Sequence, residues 1–228
     1  MDTSLAQSEI DSLTERIATS DLLSHNCGVL EYDIAWSLQK QLHENVVLDR
    51  HPGKILLLEH PSVYTAGRMT KPDERPTDGT PVIDVDRGGK ITWHGPGQIV
   101  GYPIVKLVNR QNVVEFVRTL EQALIEVCST FSLETTRFQD RSGVWIRDRS
   151  GDRKIAAIGL RVAKGVSMHG FAFNVNPDLG QFSRIVPCGF SDASATSLAV
   201  ELGHLVELSE VLPVLESSLQ KALIGVAL

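Results

Sequence analysis

The chain has 228 residues, 42% of them hydrophobic, which is enough to bury the core of one domain. Acidic residues outnumber basic ones by 28 to 22, giving a net charge of −6 that argues against wholesale nucleic-acid binding. No apolar run reaches the roughly 18 residues of a membrane span, and the polar N-terminus lacks a signal-peptide pattern.

Cysteine usage predicts a reducing compartment. The three cysteines, Cys27, Cys128 and Cys188, have neither the spacing of metal ligands nor that of a disulfide framework. Histidines and carboxylates also form no cluster with ligand spacing, so we predict no metal site. These features favour a cytoplasmic enzyme.

The first elements in chain order are a leader, a helix and a strand. Residues 1–27 predict a polar N-terminal segment, loosely ordered, which precedes a single catalytic domain over 28–228. The apolar spacing of Glu31–Val47 predicts an amphipathic helix, and Lys54–Glu59 reads as a strand.

The middle of the chain predicts strands on both sides of a glycine-rich segment, followed by a long helix. The strands are Val82–Val85 and Gln98–Val105, and the helix is Val113–Phe131. Cys128 falls on the apolar face of that helix, which predicts a core position.

The last third predicts an antiparallel meander and a final helix. Gly143–Arg147, Ile155–Val162 and Val166–Val175 are apolar or alternating, with a turn at Arg149–Asp152. The helix Ser209–Leu223 would have Ser209 as its N-cap and would face the core with Leu212, Leu215 and Leu219. The order of elements predicts an α+β fold with mixed or antiparallel sheets packed against helices.

The segment Arg87–Ile104, RGGKITWHGPGQIVGYPI, is unusually rich in glycine. Glycine lets backbone amides approach a ligand closely, and Arg87, Lys90 and His94 place charge or hydrogen-bond donors beside them. The pattern therefore predicts a ligand-binding wall. A tight hairpin connection is the alternative interpretation.

Cys188 lies in the sequence RIVPCGF. Pro187 restrains the backbone on one side and Gly189 frees it on the other, as expected for a reactive thiol presented on a sharp turn. A lone cysteine is also often a small core residue, and the local sequence alone leaves both interpretations open.

Five blocks together resemble the octanoyl transferases of lipoate synthesis. In chain order they are LLLEHPSVYTAGR, RGGKITWHGPGQIVGYP, KIAAIGLRV, MHGFAFNV and IVPCG. The resemblance implies a biotin/lipoate ligase-like catalytic domain. It also implies transfer of an octanoyl group from octanoyl-acyl carrier protein, through a cysteine thioester, to the lysine of a lipoyl domain. The acceptors implied are the E2 subunits of 2-oxoacid dehydrogenases and the glycine cleavage H protein, with no cofactor, nucleic acid or membrane involved.

The resemblance also assigns site residues. It implies that Cys188 is the nucleophile and Lys154 its partner. The acyl-binding residues implied are Arg87, Gly88, Gly89, Lys90, Ile91, Thr92, Trp93 and His94, then Ala157, Ile158 and Gly159, then Gly170, Phe171 and Ala172.

The implied chemistry suits these two residue types. A thioester is already activated, so thiol exchange needs no ATP. A nearby ammonium stabilises the thiolate, and a lysine can also donate a proton to the leaving thiol and accept one from the attacking amine. Without the resemblance, Lys154 reads as one more exposed charge. Backbone amides near Gly159, Gly170 or Cys188 are candidates for stabilising the oxyanion.

Two further features keep alternatives open. His94 and His169 could act as acid or base, or as hydrogen-bonding braces. The segment 137–164 holds eight basic residues against three acidic ones, which fits either docking of an acidic carrier protein or a sheet edge protected by charge.

Three rival functions remain. An ATP-dependent lipoate or biotin protein ligase shares the wider fold but lacks the PCG cysteine. A non-catalytic acyl-binding module could use the same apolar slot without a nucleophile. A thiol hydrolase is the third, since water must be excluded from the acyl-enzyme for transfer to succeed.

Overall fold

The computed structural model describes residues 3–19, 23–77, 79–109, 112–185 and 193–226. The helices are α1 (Thr3–Thr19), α2 (Tyr32–Val47), α3 (Val113–Thr130), α4 (Leu198–Leu202) and α5 (Leu208–Leu223). The strands are β1 (Ser24–Val29), β2 (Gly53–Glu59), β3 (Val63–Ala66), β4 (Val82–Asp84), β5 (Thr92–His94), β6 (Gln98–Val105), β7 (Val144–Asp148), β8 (Gly151–Ala163), β9 (Val166–Asn174) and β10 (Ala193–Ala195).

The strands form two mixed sheets. The larger sheet has the order β1-β2-β6-β9-β8-β10, with β7 pairing with β8 as well. Its central pairs are antiparallel, whereas β1 lies parallel to β2 and β10 lies parallel to β8. The smaller sheet has the order β4-β3-β5. The predicted α+β class with mixed sheets is confirmed.

The larger sheet is covered by helices on both faces. Alternate residues of β2 belong to different cores: Ile55 and Leu57 pack towards α3 and α5, while Leu56 and Leu58 pack towards α1 and α2. A strand buried on both faces needs apolar residues at consecutive positions, which explains the run ILLL.

The predicted long elements are confirmed within a few residues at their ends. α3 begins after Asn112, whose side chain accepts a hydrogen bond from the backbone N–H of Glu115 at 2.9 Å. Cys128 is completely buried in the core, as predicted, and burial raises the pKa of its thiol to about 12.

The predicted N-cap of the last helix is wrong. α5 begins after Glu207, which forms a capping box with Glu210, so Ser209 lies inside the first turn. The carboxylate of Glu210 accepts a hydrogen bond from the backbone N–H of Glu207 at 2.9 Å, and the serine takes no part in this contact. Leu215 and Leu219 are fully buried as predicted.

The N-terminal segment differs from the loosely ordered leader that was expected. It forms α1, whose Ile10, Leu13 and Ile17 are buried against α2, and then β1, which contains Cys27. The helical spacing of these three residues provides the apolar stripe, although the acidic and polar residues between them obscure it. None of the helices in the described ranges is both long enough and apolar enough to cross a membrane.

Candidate active site

A cavity of about 430 Å³ lies between the glycine-rich segment and the hairpin of β8 and β9. This volume is within the usual range for small-molecule sites. Most of the predicted acyl-binding residues line it: Arg87, Gly89, Lys90, Thr92, His94, Ala157, Ile158, Gly159, Gly170, Phe171 and Ala172. Residues far apart in the sequence therefore form one wall.

Two of the predicted tripeptides are direct partners in the sheet. Ala157 pairs with Ala172, Ile158 with Phe171, and Gly159 with Gly170. The alanine and glycine pairs project little or no side chain from the sheet, which leaves space for the cavity.

The glycine-rich segment is held in shape by its own arginine. Arg87 Nη1 donates hydrogen bonds to the carbonyls of Gly88 at 3.0 Å and Lys90 at 2.8 Å. Its Nη2 donates to the carbonyl of Thr65 at 2.8 Å, and the side chain is 92% buried. The guanidinium thus connects backbone carbonyls of the tight loop to a carbonyl of β3.

Three of the predicted wall residues do not line the cavity. Ile91 and Trp93 pack with Tyr64 and Phe182 in a separate apolar cluster. Because side chains alternate along a strand, Thr92 and His94 face the cavity while their neighbours face away. Gly88 contributes instead through its backbone, whose N–H donates to the carbonyl of Leu160 at 2.9 Å.

Lys154 reaches the cavity because of an irregularity in β8. Val144 pairs with Ala156 but the next residue, Trp145, pairs with Lys154, so Ile155 is an extra residue in β8. In a regular strand, residues three apart face opposite sides of the sheet. The bulge re-aims the chain so that Lys154 and Ala157 line the same cavity.

The lysine lies where two cavities meet. A smaller cavity of about 30 Å³ is bounded by Trp145, Phe182 and the β10 residues 193–195, and shares Thr92, Lys154, Ala157 and Ala172 with the larger one. The Nζ atom of Lys154 lies 4.4 Å from the centre of the Trp145 ring, a cation–π distance. A side chain at Gly143 would lie 3.5 Å from Cε of Lys154 and 2.4 Å from the carbonyl oxygen of Ala156.

Cys188, the predicted nucleophile, lies outside the described residues, and so do the neighbouring residues 186–192. On the N-terminal side of these residues, Phe182 and Ile185 pack in the apolar cluster with Trp93. On its C-terminal side Ala195 pairs with Lys154. The predicted pairing of Cys188 with Lys154 stays a prediction.

A buried chain of amides connects His94 to Thr196, the residue that follows β10. The Nδ1 atom of His94 donates to Oε1 of Gln98 at 2.7 Å, Gln98 donates to Asn174 at 2.9 Å, and Asn174 donates to the carbonyl of Thr196 at 2.8 Å. Burial, together with the neighbouring His60 and Arg87, lowers the pKa of His94 to about 3. The imidazole is therefore neutral at pH 7.

A second buried histidine supports the floor of the cavity. His60 Nδ1 donates to the carbonyl of Leu30 at 2.7 Å, and its Nε2 accepts from the hydroxyl of Tyr102 at 2.7 Å. Burial lowers the pKa of His60 to about 4, so this ring is also neutral at pH 7. Tyr102 itself lines the cavity together with Tyr32.

The basic segment 137–164 is largely neutralised within the chain. Arg153 pairs with Asp148 at 2.8 Å and with Glu201 at 2.7 Å, and Arg147 pairs with Asp152 at 2.9 Å. Arg161 pairs with Asp86. Much of the local positive charge thus holds β7, β8 and α4 together, in agreement with the alternative of a charged sheet edge.

Sequence reasoning missed several residues that line the larger cavity: Tyr32, Met69, Tyr102, Asp140, Arg141 and Ser142. Tyr102 lies in the glycine-rich block, but nothing distinguishes it from a core tyrosine. The others come from a helix and two loops whose approach to the cavity depends on the tertiary fold.

The fold and this site define a known class of catalytic domain. Residues 31–220 match the model of the lipoyl protein ligase A/B catalytic domain, and the chain belongs to that family. Solved structures agree on the fold. A bi-partite lipoate protein ligase from Thermoplasma acidophilum matches with a TM-score of 0.65 at 15% identity, covering 89% of this chain and 84% of that one. A biotin protein ligase from Aquifex aeolicus matches with a TM-score of 0.54 at 16% identity, covering 88% and 70%.

Within the family, the chain groups with the octanoyltransferases. It is 58% identical to the octanoyltransferase of Salinispora arenicola, covering 88% of this chain and 95% of the relative. It is 51% identical to that of Mycobacterium avium, covering 95% and 93%. The chain is therefore an enzyme of the acyltransferase class.

Proposed function

We propose that the chain transfers an octanoyl group from octanoyl-acyl carrier protein to the lysine of a lipoyl domain, through a thioester on Cys188. The observation that carries the proposal is the position of Lys154, where the acyl-sized cavity meets the smaller cavity bounded by β10. The identity of more than 50% to octanoyltransferases supports the same reaction.

The reaction consists of two balanced exchanges. The Cys188 thiolate attacks the carbonyl carbon of the donor thioester, a new C–S bond forms, and the carrier thiol leaves with a proton. The acceptor amine then attacks the acyl-enzyme, an amide forms, and the Cys188 thiol is regenerated. Both steps exchange groups on an activated acyl carbon, so neither needs ATP.

In this proposal Lys154 stabilises negative charge and transfers protons. Its ammonium stabilises the thiolate of Cys188, donates a proton to the leaving thiol and accepts one from the attacking amine. The aromatic face of Trp145 holds the Nζ atom in place at 4.4 Å. The oxyanion donors stay predictions, with the amides near Gly159 and Gly170 as candidates.

The larger cavity holds the acyl chain. Its walls include Ile158, Phe171 and Ala172, and its mouth is bordered by Met69, whose side chain is 64% exposed. A flexible thioether can adapt to an alkyl chain that passes it. The neutral His94 in the wall avoids placing a charge against an apolar ligand.

The partners are proposed on the same basis. The donor is octanoyl-acyl carrier protein, and the acceptors are lipoyl domains of 2-oxoacid dehydrogenase E2 subunits and the glycine cleavage H protein. We propose that the reaction takes place in the cytoplasm. Arg149 and Lys164, which are exposed in the basic segment, are available for contact with an acidic carrier.

The test is the covalent intermediate. Incubation with octanoyl-acyl carrier protein and no nucleotide should add one octanoyl group to the intact mass of the protein, and a lipoyl domain should then remove it. The Cys188→Ala variant should form no adduct and should lose transfer. Cys27→Ser is the matched control, because burial raises the pKa of the Cys27 thiol to about 12 and keeps it protonated. An absolute requirement for ATP would indicate a ligase instead.

A further inference from the structure

His169 has an unusual backbone conformation for its position. It lies within β9, where it pairs with Leu160 of β8, yet its φ angle is +57°. Residues other than glycine rarely adopt positive φ, and such strain persists only where the surrounding structure enforces it. The side chain is 99% buried and lines the larger cavity.

Two contacts enforce this conformation. The backbone N–H of His169 donates to Oε1 of Gln39 at 2.9 Å, and Gln39 is fully buried on α2. The Nε2 atom of the imidazole lies 2.7 Å from Oδ1 of Asp86. A carboxylate only accepts hydrogen bonds, so Nε2 carries the proton.

The second ring nitrogen of His169, Nδ1, is buried. Among the described residues, Nδ1 of His169 has no hydrogen-bond partner. Burial lowers the pKa of His169, against the opposing effect of Asp86, so the neutral ring with a bare Nδ1 is favoured at pH 7. A buried polar atom without a hydrogen bond and a strained backbone both reduce the stability of the fold, yet both occur at His169.

The partner of this histidine lies directly before the glycine-rich wall. Asp86 immediately precedes Arg87, and its second carboxylate oxygen pairs with Arg161 of β8. Gly88 donates to the carbonyl of Leu160, the residue opposite His169. The carboxylate therefore joins both strands of the β8–β9 hairpin to the start of the wall.

We propose that His169 and Asp86 form a positioning pair, which holds residues 87–90 at the distance from β8 and β9 that an acyl chain requires. The inference rests on the proposed octanoyl transfer and adds positioning residues for its donor. His169 acts through Asp86 on the wall. The strained φ aims the imidazole along the wall at Asp86, in a strand where a regular residue would point elsewhere.

The test is the His169→Asn variant. Asparagine tolerates positive φ better than other non-glycine residues, but its side chain is too short to reproduce the contact with Asp86. We expect the KM for octanoyl-acyl carrier protein to rise about tenfold while kcat changes less than about twofold, because the wall binds the acyl chain equally before and during reaction.

The split between KM and kcat separates positioning from a merely structural role. A variant that only lowers the folded fraction has a reduced kcat and an unchanged KM. Asp86→Asn should show a smaller rise in KM than His169→Asn, because an amide oxygen still accepts from Nε2. Asp84→Asn is the matched control. It removes a carboxylate that is paired with Arg75 but is 71% exposed and outside the cavity, so its KM should equal that of the wild type.

Calorimetric titration with octanoic acid distinguishes the two proposals. Weaker binding to His169→Asn than to the wild type supports the positioning pair even if the wild type fails to transfer octanoyl groups, an outcome that overturns only the proposed function. Equal binding and an unchanged KM in His169→Asn overturn the positioning pair and leave the proposed function standing.

Discussion

Lys154 combines a charge with a confined position. It lies above the Trp145 ring, beside Gly143, and at the junction of two cavities. Charge alone can be supplied by arginine, but arginine stays protonated at neutral pH and its planar group is larger. Substitution of Lys154 by arginine therefore separates the electrostatic role of this position from its proton-transfer role.

Lys154→Arg should lower kcat for octanoyl transfer by about 10² to 10⁴, the usual contribution of general acid–base catalysis. The rate of thiol alkylation at Cys188, followed by intact mass, should stay close to the wild-type rate because the positive charge remains.

The control for this variant is Lys221→Arg. Lys221 is exposed on α5 and lines neither cavity, so that substitution should leave kcat unchanged. Normal transfer by Lys154→Arg would show that the lysine contributes charge only.

At the scale of elements, β6 and β9 approach each other through glycine. Gly101 pairs with Phe171, and a Cβ built on Gly101 would lie 2.1 Å from the ring of Phe171. A Cβ on Gly170 would lie 2.0 Å from the carbonyl oxygen of Gly101. Gly101 and Gly170 therefore allow β9 to pack closely against β6.

Gly101→Ala should reduce the free energy of unfolding by about 1 to 3 kcal/mol, the usual cost of overpacking. A shift of Phe171 should also raise the KM for the octanoyl donor, because this residue belongs to the lining of the cavity. Urea unfolding and steady-state kinetics check the two effects.

Gly180→Ala is the matched control for this substitution. A Cβ there would meet only the side chain of Asp178, at 3.1 Å, which can move aside at the surface. Loss of the same stability in both variants would contradict the packing argument.

The β8 bulge shows where sequence reasoning stops at this scale. The apolar and alternating patterns of β6, β8 and β9 predicted those strands, since burial imposes a period on the side chains. An extra residue in the pairing leaves no mark in the sequence, because it depends on how β7 aligns with β8. The short strands β3, β5 and β10 have too few residues for a period to appear.

At the scale of the whole molecule, two buried neutral histidines make stability depend on pH. Burial lowers the pKa of His94 to about 3 and that of His60 to about 4. In the unfolded chain both titrate near 6.5. Between these values the unfolded state binds more protons than the folded state, so stability falls as pH decreases below 6.5.

Each histidine should contribute a slope of up to about 1.4 kcal/mol per pH unit across this window. Urea unfolding at pH 7.5, 6.0 and 5.0 should show a falling free energy of unfolding. His94→Gln should reduce the slope, because the titrating group is removed. His204→Gln, at an exposed position, should leave it unchanged. Equal slopes in the wild type and His94→Gln would contradict the role of His94.

The sequence by itself determined the α+β class and the long elements, which follow from hydrophobic periodicity. Most residues of the cavity wall were implied by the resemblance of five sequence blocks to the octanoyl transferases, and the glycine-rich segment alone indicated a wall only between Arg87 and Ile104. Alternation along β5 then excluded Ile91 and Trp93 from the wall, which the continuous block Arg87–His94 could not indicate.

Only the tertiary structure decided which side chains meet. Lys154 faces the cavity through a bulge, Arg87 is used to brace its own loop, and His169 reaches Asp86 across two strands. His169 and Asp86 are 83 residues apart in the chain, whereas Arg87 contacts residues of its own loop. Their geometry depends on strand register and packing, which local sequence patterns do not encode.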